Sequence, residues 1–320
     1  MPLKLAMLGT GTFALPTFRA LLDSEHVVAA LVTQPDRTGR GHHRHVNPLK
    51  ELAVERGVAV FQPPRIKRPE AVERLREFEV DLYVTAAYGQ LLSEAVLNVP
   101  RLGAINLHGS LLPKYRGAAP VQRAVMAGET RTGVTAFQIT LGMDEGPMLG
   151  TVATDIESAE TAGQLHDRLA DLAAPLAVRV VGELAAGTAL PQPQDESLAT
   201  HAAKLTKADG VIDWTRPSRL VDAQIRGVQP WPKARTWWTG GDKRTELLVT
   251  SVRFGEGDAA ATPGTILSTD PLRVACGSGV AVVEGIQPPG KRAMSGTDFT
   301  RGYPIAAGHS FTGNPAGGGL

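Results

Sequence analysis

Residues 3–34 read LKLAMLGTGTFALPTFRALLDSEHVVAALVTQ, and this stretch decides the class of fold. It contains an apolar run, a glycine-rich turn, a segment with helical spacing of apolar residues, and a second apolar run. Two strands joined through a helix pair in parallel, because the crossover returns the chain to the same end of the sheet. The stretch therefore predicts a strand–helix–strand unit that opens a parallel α/β sheet.

The same alternation continues through the first two hundred residues. Further strands are predicted in VDLYVTAAYG (80–89) and GAINLHG (103–109), and helices over Pro48–Arg56, Pro69–Glu77 and Thr161–Ala186. The runs TGVTAFQIT (132–140) and MLGTVATDI (148–156) have the pattern of a hairpin. We therefore expect a Rossmann-like sheet that is mostly parallel and becomes mixed towards its end.

The second half of the chain has a different composition. Residues 187–210 are rich in Pro, Gln, Ser and Lys, which is typical of a connector, and after them short strand-like runs alternate with Gly/Pro turns. This pattern predicts a small all-β, OB-like barrel. We predict an α/β domain over 1–189, a linker over 190–208, the barrel over 209–308 and a flexible, glycine-rich tail over 309–320.

Charge and cysteine content limit the classes of function. The formal net charge of +1 excludes a protein that coats a polyanion, so any contact with nucleic acid is local. A single cysteine, Cys276, allows neither an intrachain disulfide nor a multi-cysteine zinc site, and it lies in a hairpin pattern where it is expected to pack. No signal-peptide pattern and no apolar run of spanning length is present, so we expect a cytoplasmic protein without a membrane segment.

A glycine cluster follows the first strand. Gly9, Gly11 and Ala14 fit the G-x-G-x-x-A pattern of dinucleotide sites, and Asp36, near the end of the second strand, is a candidate ribose acceptor. A NAD-linked oxidoreductase is therefore one candidate function. Glycine turns also allow a strand and a helix to pack closely without any ligand, so this alternative stays open.

A second polar cluster lies in AINLHGSLLPKYRGAAP, residues 104–120. Asn106 and His108 are two positions apart, so their side chains share one face at the end of a strand, where α/β sheets bind ligands. An amide can stabilise an oxyanion and an imidazole can relay a proton. LGMDEGPML (141–149) adds Asp144 as a carboxylate partner, and the three residues together predict a catalytic site.

Several of these motifs resemble one family. Asn106-x-His108-GSLLP, Arg116-GAAP, TGVT and Gly142-Met-Asp144-x-Gly are similar to the signature of the 10-formyltetrahydrofolate-dependent formyltransferases. The segments TQPDRTGRG, AAYGQLLS, DGVIDW, QPWPKA and PGTIL extend the resemblance over nearly the whole chain. Among those enzymes the closest likeness is to members that formylate the α-amino group of a methionyl-initiator tRNA for translation initiation.

The resemblance implies roles for particular residues. Asn106, His108 and Asp144 are the expected catalytic trio. The expected folate contacts are Tyr88, Gln90, Leu91, Leu92, Ser110, Leu111, Leu112 and Pro113. The formyl donor is expected to be 10-formyltetrahydrofolate, and no metal is expected.

The expected tRNA contacts are basic. The segment DRTGRGHHRH (36–45), whose two glycines predict a loop, supplies Arg37, Arg40 and Arg44, and the connector supplies Lys204 and Lys207. We expect a monomer.

A formyltransferase acting on an amino sugar or an aminonucleotide stays an alternative, as does the NAD-linked enzyme. Trp231, Trp237 and Trp238 are expected to be packing anchors rather than stacking platforms for bases.

Overall fold

The computed structural model describes residues 1–36, 47–240, 243–255 and 260–313. It contains two compact units. The first is formed by Met1–Pro120, Arg131–Asp155 and Leu165–Ala202, and the second by Val121–Thr130, Ile156–Gln164 and the chain from Ala203 onwards. The domain bounds given above stay a prediction.

The strands and helices alternate in the first part of the chain and strands dominate the last. The strands are β1 (Lys4–Gly9), β2 (Val27–Val32), β3 (Ala59–Phe61), β4 (Leu82–Ala86), β5 (Ala104–His108), β6 (Arg116–Gly117), β7 (Arg131–Gln138), β8 (Met148–Asp155), β9 (His201–Ala202), β10 (Ala234–Gly240), β11 (Lys243–Gly255), β12 (Ile266–Thr269), β13 (Leu272–Ala275), β14 (Val280–Gln287), β15 (Met294–Ser295) and β16 (Phe311–Thr312). The helices are α1 (Leu15–Leu22), α2 (Pro48–Glu55), α3 (Pro69–Arg76), α4 (Glu94–Leu97), α5 (Pro120–Met126), α6 (Ala162–Ala186), α7 (Ser218–Gly227) and α8 (Gly296–Gly302). The helices predicted at Pro48, Pro69 and Thr161 are thus confirmed to within one residue at each end.

The sheet of the first unit has the order β3-β2-β1-β4-β5-β7-β8. Its first five strands pair in parallel, whereas β7 pairs antiparallel with both β5 and β8. The mostly parallel Rossmann-like sheet and the hairpin are confirmed. β4 is buried at every residue and β1 at five of its six, as expected for central strands covered on both faces.

Local sequence explains where the helices of this unit begin. Asn47 caps α2, because its side-chain oxygen accepts hydrogen bonds from the backbone N–H groups of Leu49 and Lys50. Proline stands at the first position of α2 and of α3, where its missing N–H costs nothing. The charged face of α3 is exposed while Ala71, Val72 and Leu75 are buried.

The second unit contains an antiparallel sheet with the path β12-β13-β14-β11-β10-β16, and β15 pairs with β14. A bridge between Thr265 and Ser310, just before β12 and β16, links the two edges, which gives the predicted OB-like barrel. Trp214, Leu247, Val249 and Phe299 lie in its apolar core. Within the described residues, no helix is both long and apolar enough to cross a membrane.

Candidate active site

The carboxyl end of β5 carries the two polar side chains predicted there. β5 lies between β4 and β7, at the point where the sheet changes from parallel to antiparallel pairing. Because alternate residues of a strand point the same way, Asn106 and His108 project from one face. His108 is buried and Asn106 is half-buried.

A threonine on the neighbouring strand orients the Asn106 amide. The Thr85 hydroxyl lies 2.8 Å from Asn106 Oδ1 and 2.9 Å from the carbonyl oxygen of Ile105. With Oδ1 facing Thr85, the Nδ2 amino group faces away from it. Nδ2 makes no hydrogen bond to any residue that the structure describes, so its protons are available to a ligand.

Two acceptors flank the imidazole of His108. Nε2 lies 2.9 Å from the carbonyl oxygen of Tyr115, and since a carbonyl only accepts, Nε2 carries a proton. Nδ1 lies 3.6 Å from Asp144 Oδ2. Nδ1 is therefore the ring nitrogen that can exchange a proton with Asp144 or with a bound group.

The backbone holds the carboxylate of Asp144. Its Oδ2 accepts a 2.8 Å hydrogen bond from the Gly117 amide. Asp144 itself has φ of +55°, a left-handed conformation that is uncommon for a residue with a side chain. The turn is tight here, because a Cβ on Gly146 would lie 1.7 Å from the carbonyl oxygen of Gln138.

Further polar residues form hydrogen bonds to one another and to the loop that carries Asp144. The Arg116 guanidinium, whose side chain is 5% exposed, donates to both oxygens of Glu196 and to Gln194 Oε1. These hydrogen bonds hold the pKa of the Glu196 carboxyl below its usual range. Gln194 Nε2 in turn donates to the carbonyl oxygens of Asp144 and Gly146.

The predicted folate residues divide into two groups. Ser110–Pro113 are fixed against β7, because the buried Thr135 hydroxyl donates to the Ser110 carbonyl and accepts from the Leu112 amide. Gln90 is also committed to the protein, through Ile66 N and Pro63 O. The remaining members are the buried Tyr88, the half-buried Leu92 and the strongly exposed Leu91.

Two open cavities lie on the first unit. One, of about 580 Å³, is lined by Glu94, Leu97, Asn98, Gly103, Ala104, Gln138, Ile139, Thr140, Leu141 and Gly142. The other, of about 400 Å³, is lined by Thr10, Gly11, Gln34, Pro35, Asp36, Asn47, Pro48, Ala87, Tyr88 and Gly89. Of the predicted folate residues, only Tyr88 is part of either lining.

The glycine cluster of β1 has a packing role in the structure. A Cβ on Gly9 would lie 2.7 Å from the Ala14 Cβ, so the glycine lets the chain after the strand pack close to it. The Asp36 carboxylate is bound by Lys50 and Gln62. Both observations favour the ligand-free interpretation of this motif.

The expected tRNA contacts lie partly outside the described residues. Arg37, Arg40 and Arg44 are among those that the structure does not describe, whereas Lys204 and Lys207 are exposed on the second unit. Trp238 is a buried anchor there, and Trp237 is half-buried beneath the Arg244 guanidinium. The expectation for Trp231 is wrong: this residue lies in the turn before β10 and is 52% exposed.

Two further predictions concern cysteine and metal. Cys276 is buried, and burial raises the pKa of its thiol to about 11, which makes it a poor nucleophile. Among the described residues, no three His, Cys, Asp or Glu side chains form a group that could hold a metal. The expectation of a metal-free enzyme stays a prediction.

Sequence reasoning missed the residues that hold the trio. Thr85 and Gln194 act through contacts between segments far apart in the chain, and neither stands in a motif with a known spacing. The position of Thr85, near the end of a predicted strand beside β5, gave a signal that could have been used, and Thr135, which holds Ser110 and Leu112, is the last residue of the TGVT motif.

Comparison with known proteins agrees with this geometry. Residues 3–181 match the family model described as Formyl transferase, and residues 204–304 match Formyl transferase, C-terminal domain. The methionyl-tRNA formyltransferase of Methylococcus capsulatus is 43% identical over 95% of this chain and 98% of its own. That of Nitratidesulfovibrio vulgaris (strain DP4) is 45% identical over 94% and 93%.

A solved structure shows the same fold. An N-formyltransferase from Helicobacter canadensis, in complex with folinic acid and dTDP-3-aminofucose, has a TM-score of 0.65. It is 14% identical, and the match covers 90% of this chain and 100% of that one.

Proposed function

The chain belongs to the formyl transferase family and, within it, to the methionyl-tRNA formyltransferases, and we propose that Asn106, His108 and Asp144 carry out its reaction. The family moves a formyl group from a formyl-folate to the methionyl group of an initiator tRNA. The observation that carries the proposal is the distance of 3.6 Å between His108 Nδ1 and Asp144 Oδ2. The Asn106 amide lies on the same face of β5 as His108.

The reaction requires three chemical functions from these residues. The neutral α-amine of the methionyl ester attacks the formyl carbon of 10-formyltetrahydrofolate, and a tetrahedral oxyanion forms. When that intermediate collapses, the bond between the formyl carbon and N10 breaks, the amine loses a proton and N10 gains one. An oxyanion donor, a proton acceptor and a proton donor are therefore required.

Each residue supplies one of them. The Nδ2 group of Asn106 donates to the oxyanion, and a well-placed donor of this kind contributes about 3 kcal/mol to the transition state. Asp144 accepts the proton of the attacking amine, directly or through a water. His108 Nδ1 passes a proton between Asp144 and N10, while the Tyr115 carbonyl holds the ring through Nε2.

The formyl donor lies in the 580 Å³ cavity. Ala104 lines that cavity and stands two residues before Asn106, so the cavity and the amide share one face of β5. The lining continues to Gly142, two residues before Asp144. Its lining combines apolar side chains such as Leu97 and Ile139 with polar ones such as Glu94 and Gln138, which suits a flat ring system that carries hydrogen-bonding groups.

The acceptor is bound through basic residues. We assign Arg37, Arg40 and Arg44 and the exposed Lys204 and Lys207 to the tRNA backbone, because a chain of net charge +1 must concentrate positive charge where a polyanion binds. Because initiator tRNA is formylated before translation, we propose that the enzyme acts in the cytoplasm, and we expect a monomer.

The test of the proposal is the Asp144→Asn variant, assayed for transfer of labelled formyl from 10-formyltetrahydrofolate to methionyl-tRNA. Removal of the proton acceptor is expected to lower kcat by about 10²- to 10⁴-fold. Glu145→Gln is the matched control, since Glu145 is an exposed carboxylate on the same loop, and it should retain kcat within twofold. Near-normal turnover by Asp144→Asn would reject the proposed trio. Label on free methionine or on an amino sugar would reject the tRNA acceptor.

A further inference from the structure

A buried glutamine holds the loop that presents Asp144. The Nε2 amino group of Gln194 donates to the carbonyl oxygens of Asp144 and Gly146, each at 2.8 Å. An amide nitrogen has two protons, so both are used. Gln194 is 9% exposed, so water competes little for these bonds.

The loop needs such support because of its backbone conformation. Asp144 has a positive φ, which costs energy for a residue with a Cβ and persists only where the surroundings enforce it. Gln194 bonds one carbonyl at this residue and one two residues later. The side chain of Asp144 therefore aims at His108 only while this turn keeps its shape.

A neighbouring arginine fixes which end of the Gln194 amide faces the loop. Arg116 Nε and Nη2 donate to Gln194 Oε1 at 3.1 and 2.8 Å. Arginine has no acceptor atoms, so only the oxygen end of the amide can face it. The nitrogen end must then face the two carbonyls of the Asp144 loop. A carboxylate at position 194 would instead place a negative oxygen against those carbonyls.

The same segment supports the other partners of the trio. The Arg116 amide donates to the Thr200 carbonyl, and the Ala118 amide donates to the Ala202 carbonyl, through the pairing of β6 with β9. This pairing places Tyr115 O against His108 and Gly117 N against Asp144. Residues 194–202 thus hold both segments that contact the catalytic side chains.

We propose that Gln194 is a positioning residue for formyl transfer, which acts through Asp144 by fixing the turn that carries it. The inference rests on the proposed function of Asp144. It gives the segment 194–202 a role in catalysis, although Gln194 lines neither cavity and its amide makes its hydrogen bonds to protein groups.

The experiment is a double-mutant cycle between Gln194→Glu and Asp144→Asn, with kcat, KM for 10-formyltetrahydrofolate and the melting temperature measured for each variant. Gln194→Glu alone is expected to lower kcat at least 30-fold with KM changed less than threefold. In the Asp144→Asn background the same change should cost less than threefold, because the carboxylate it positions is already gone. Gln192→Glu is the matched control, an exposed glutamine two residues earlier, and should behave as the parent chain.

A merely structural role gives a different pattern. Equal losses in both backgrounds would overturn the inference, as would kcat within twofold of the parent for Gln194→Glu. If that variant does not fold, Gln194→Asn keeps the amide but shortens its reach, and a tenfold fall in kcat with unchanged KM supports the inference while unchanged kcat overturns it. Activity of Asp144→Asn by itself would reject the proposed function, whereas its inactivity beside an active Gln194→Glu would reject only the inference.

Discussion

The carboxyl ends of β1 and β5 belong to the same sheet and follow the same topological rule, yet they differ in what their side chains do. At the end of β1, Gly9 brings the chain close to Ala14, and Asp36 beyond β2 is bound by Lys50 and Gln62. At the end of β5, Nδ2 of Asn106 is unoccupied among the described residues, and His108 Nδ1 faces Asp144 across 3.6 Å.

Position at a strand end is therefore not sufficient for a site. Ligand sites need polar groups that converge and some hydrogen-bonding capacity that is left unused, and the end of β5 has both features. The glycine motif at β1 has the spacing of a dinucleotide site, but its first glycine is required by packing alone. Changes at the two ends should therefore separate stability from activity.

At the β1 end, Gly9→Ala is expected to cause a large loss of folding stability. The added Cβ would meet the Ala14 Cβ at 2.7 Å and the Ala86 carbonyl at 3.2 Å, so the turn must shift. Overpacking of this kind costs about 1–3 kcal/mol of folding free energy. We expect a lower melting temperature in thermal unfolding with kcat per folded molecule unchanged.

Gly182→Ala is the control for that change. It lies within α6, and a Cβ there meets nothing within 4 Å, so the variant should be neutral or more stable by up to about 1 kcal/mol. Loss of kcat in folded Gly9→Ala protein would give the β1 turn a role in the reaction and break the contrast with β5.

A smaller effect, on tetrahydrofolate affinity, distinguishes the two cavities. Thr140→Trp places a large side chain in the lining of the 580 Å³ cavity, and Pro35→Trp does the same in the 400 Å³ cavity. If the first cavity holds the folate, Thr140→Trp should weaken tetrahydrofolate binding by about tenfold, which is 1.4 kcal/mol. Pro35→Trp should leave that affinity within twofold. Titration of each variant by fluorescence measures both, and the reverse order would move the folate to the β1 end.

The sequence predicted the placement of Asn106 and His108 at the end of β5. It did not predict the role proposed for Gln194, for a physical reason. Asn106 and His108 follow from the two-residue period of a strand and from the position of ligand sites in α/β sheets. Gln194 lies 50 and 48 residues from the carbonyls it binds, and nothing local distinguishes it from the exposed Gln192. Its role is set by the pairing of β6 with β9, two strands of two residues each, which no periodicity indicates.

The same limit applies to the wrong expectation for Trp231. Neighbouring prolines suggested a packed anchor, whereas tertiary contacts bury Trp238 and leave Trp231 half exposed. Alternation along β10 explains part of this outcome, since Trp238 faces the core and Trp237 lies on the other face beneath Arg244. Trp231 precedes the strand and is outside that alternation.

The smallest expected effect concerns binding of the tRNA by exposed lysines away from both strand ends. Lys204 and Lys207 are exposed, and each ammonium that neutralises a phosphate releases counterions from the tRNA. Lys204→Ala and Lys207→Ala should therefore each reduce the slope of log affinity against log salt concentration by about 0.7–0.9. Anisotropy titrations of labelled methionyl-tRNA between roughly 50 and 200 mM salt measure that slope. Lys67→Ala, an exposed lysine before α3, is the control and should leave it unchanged. Slopes equal to that of the parent chain for all three variants would remove the two lysines from the proposed tRNA surface and leave Arg37, Arg40 and Arg44 as its assigned contacts.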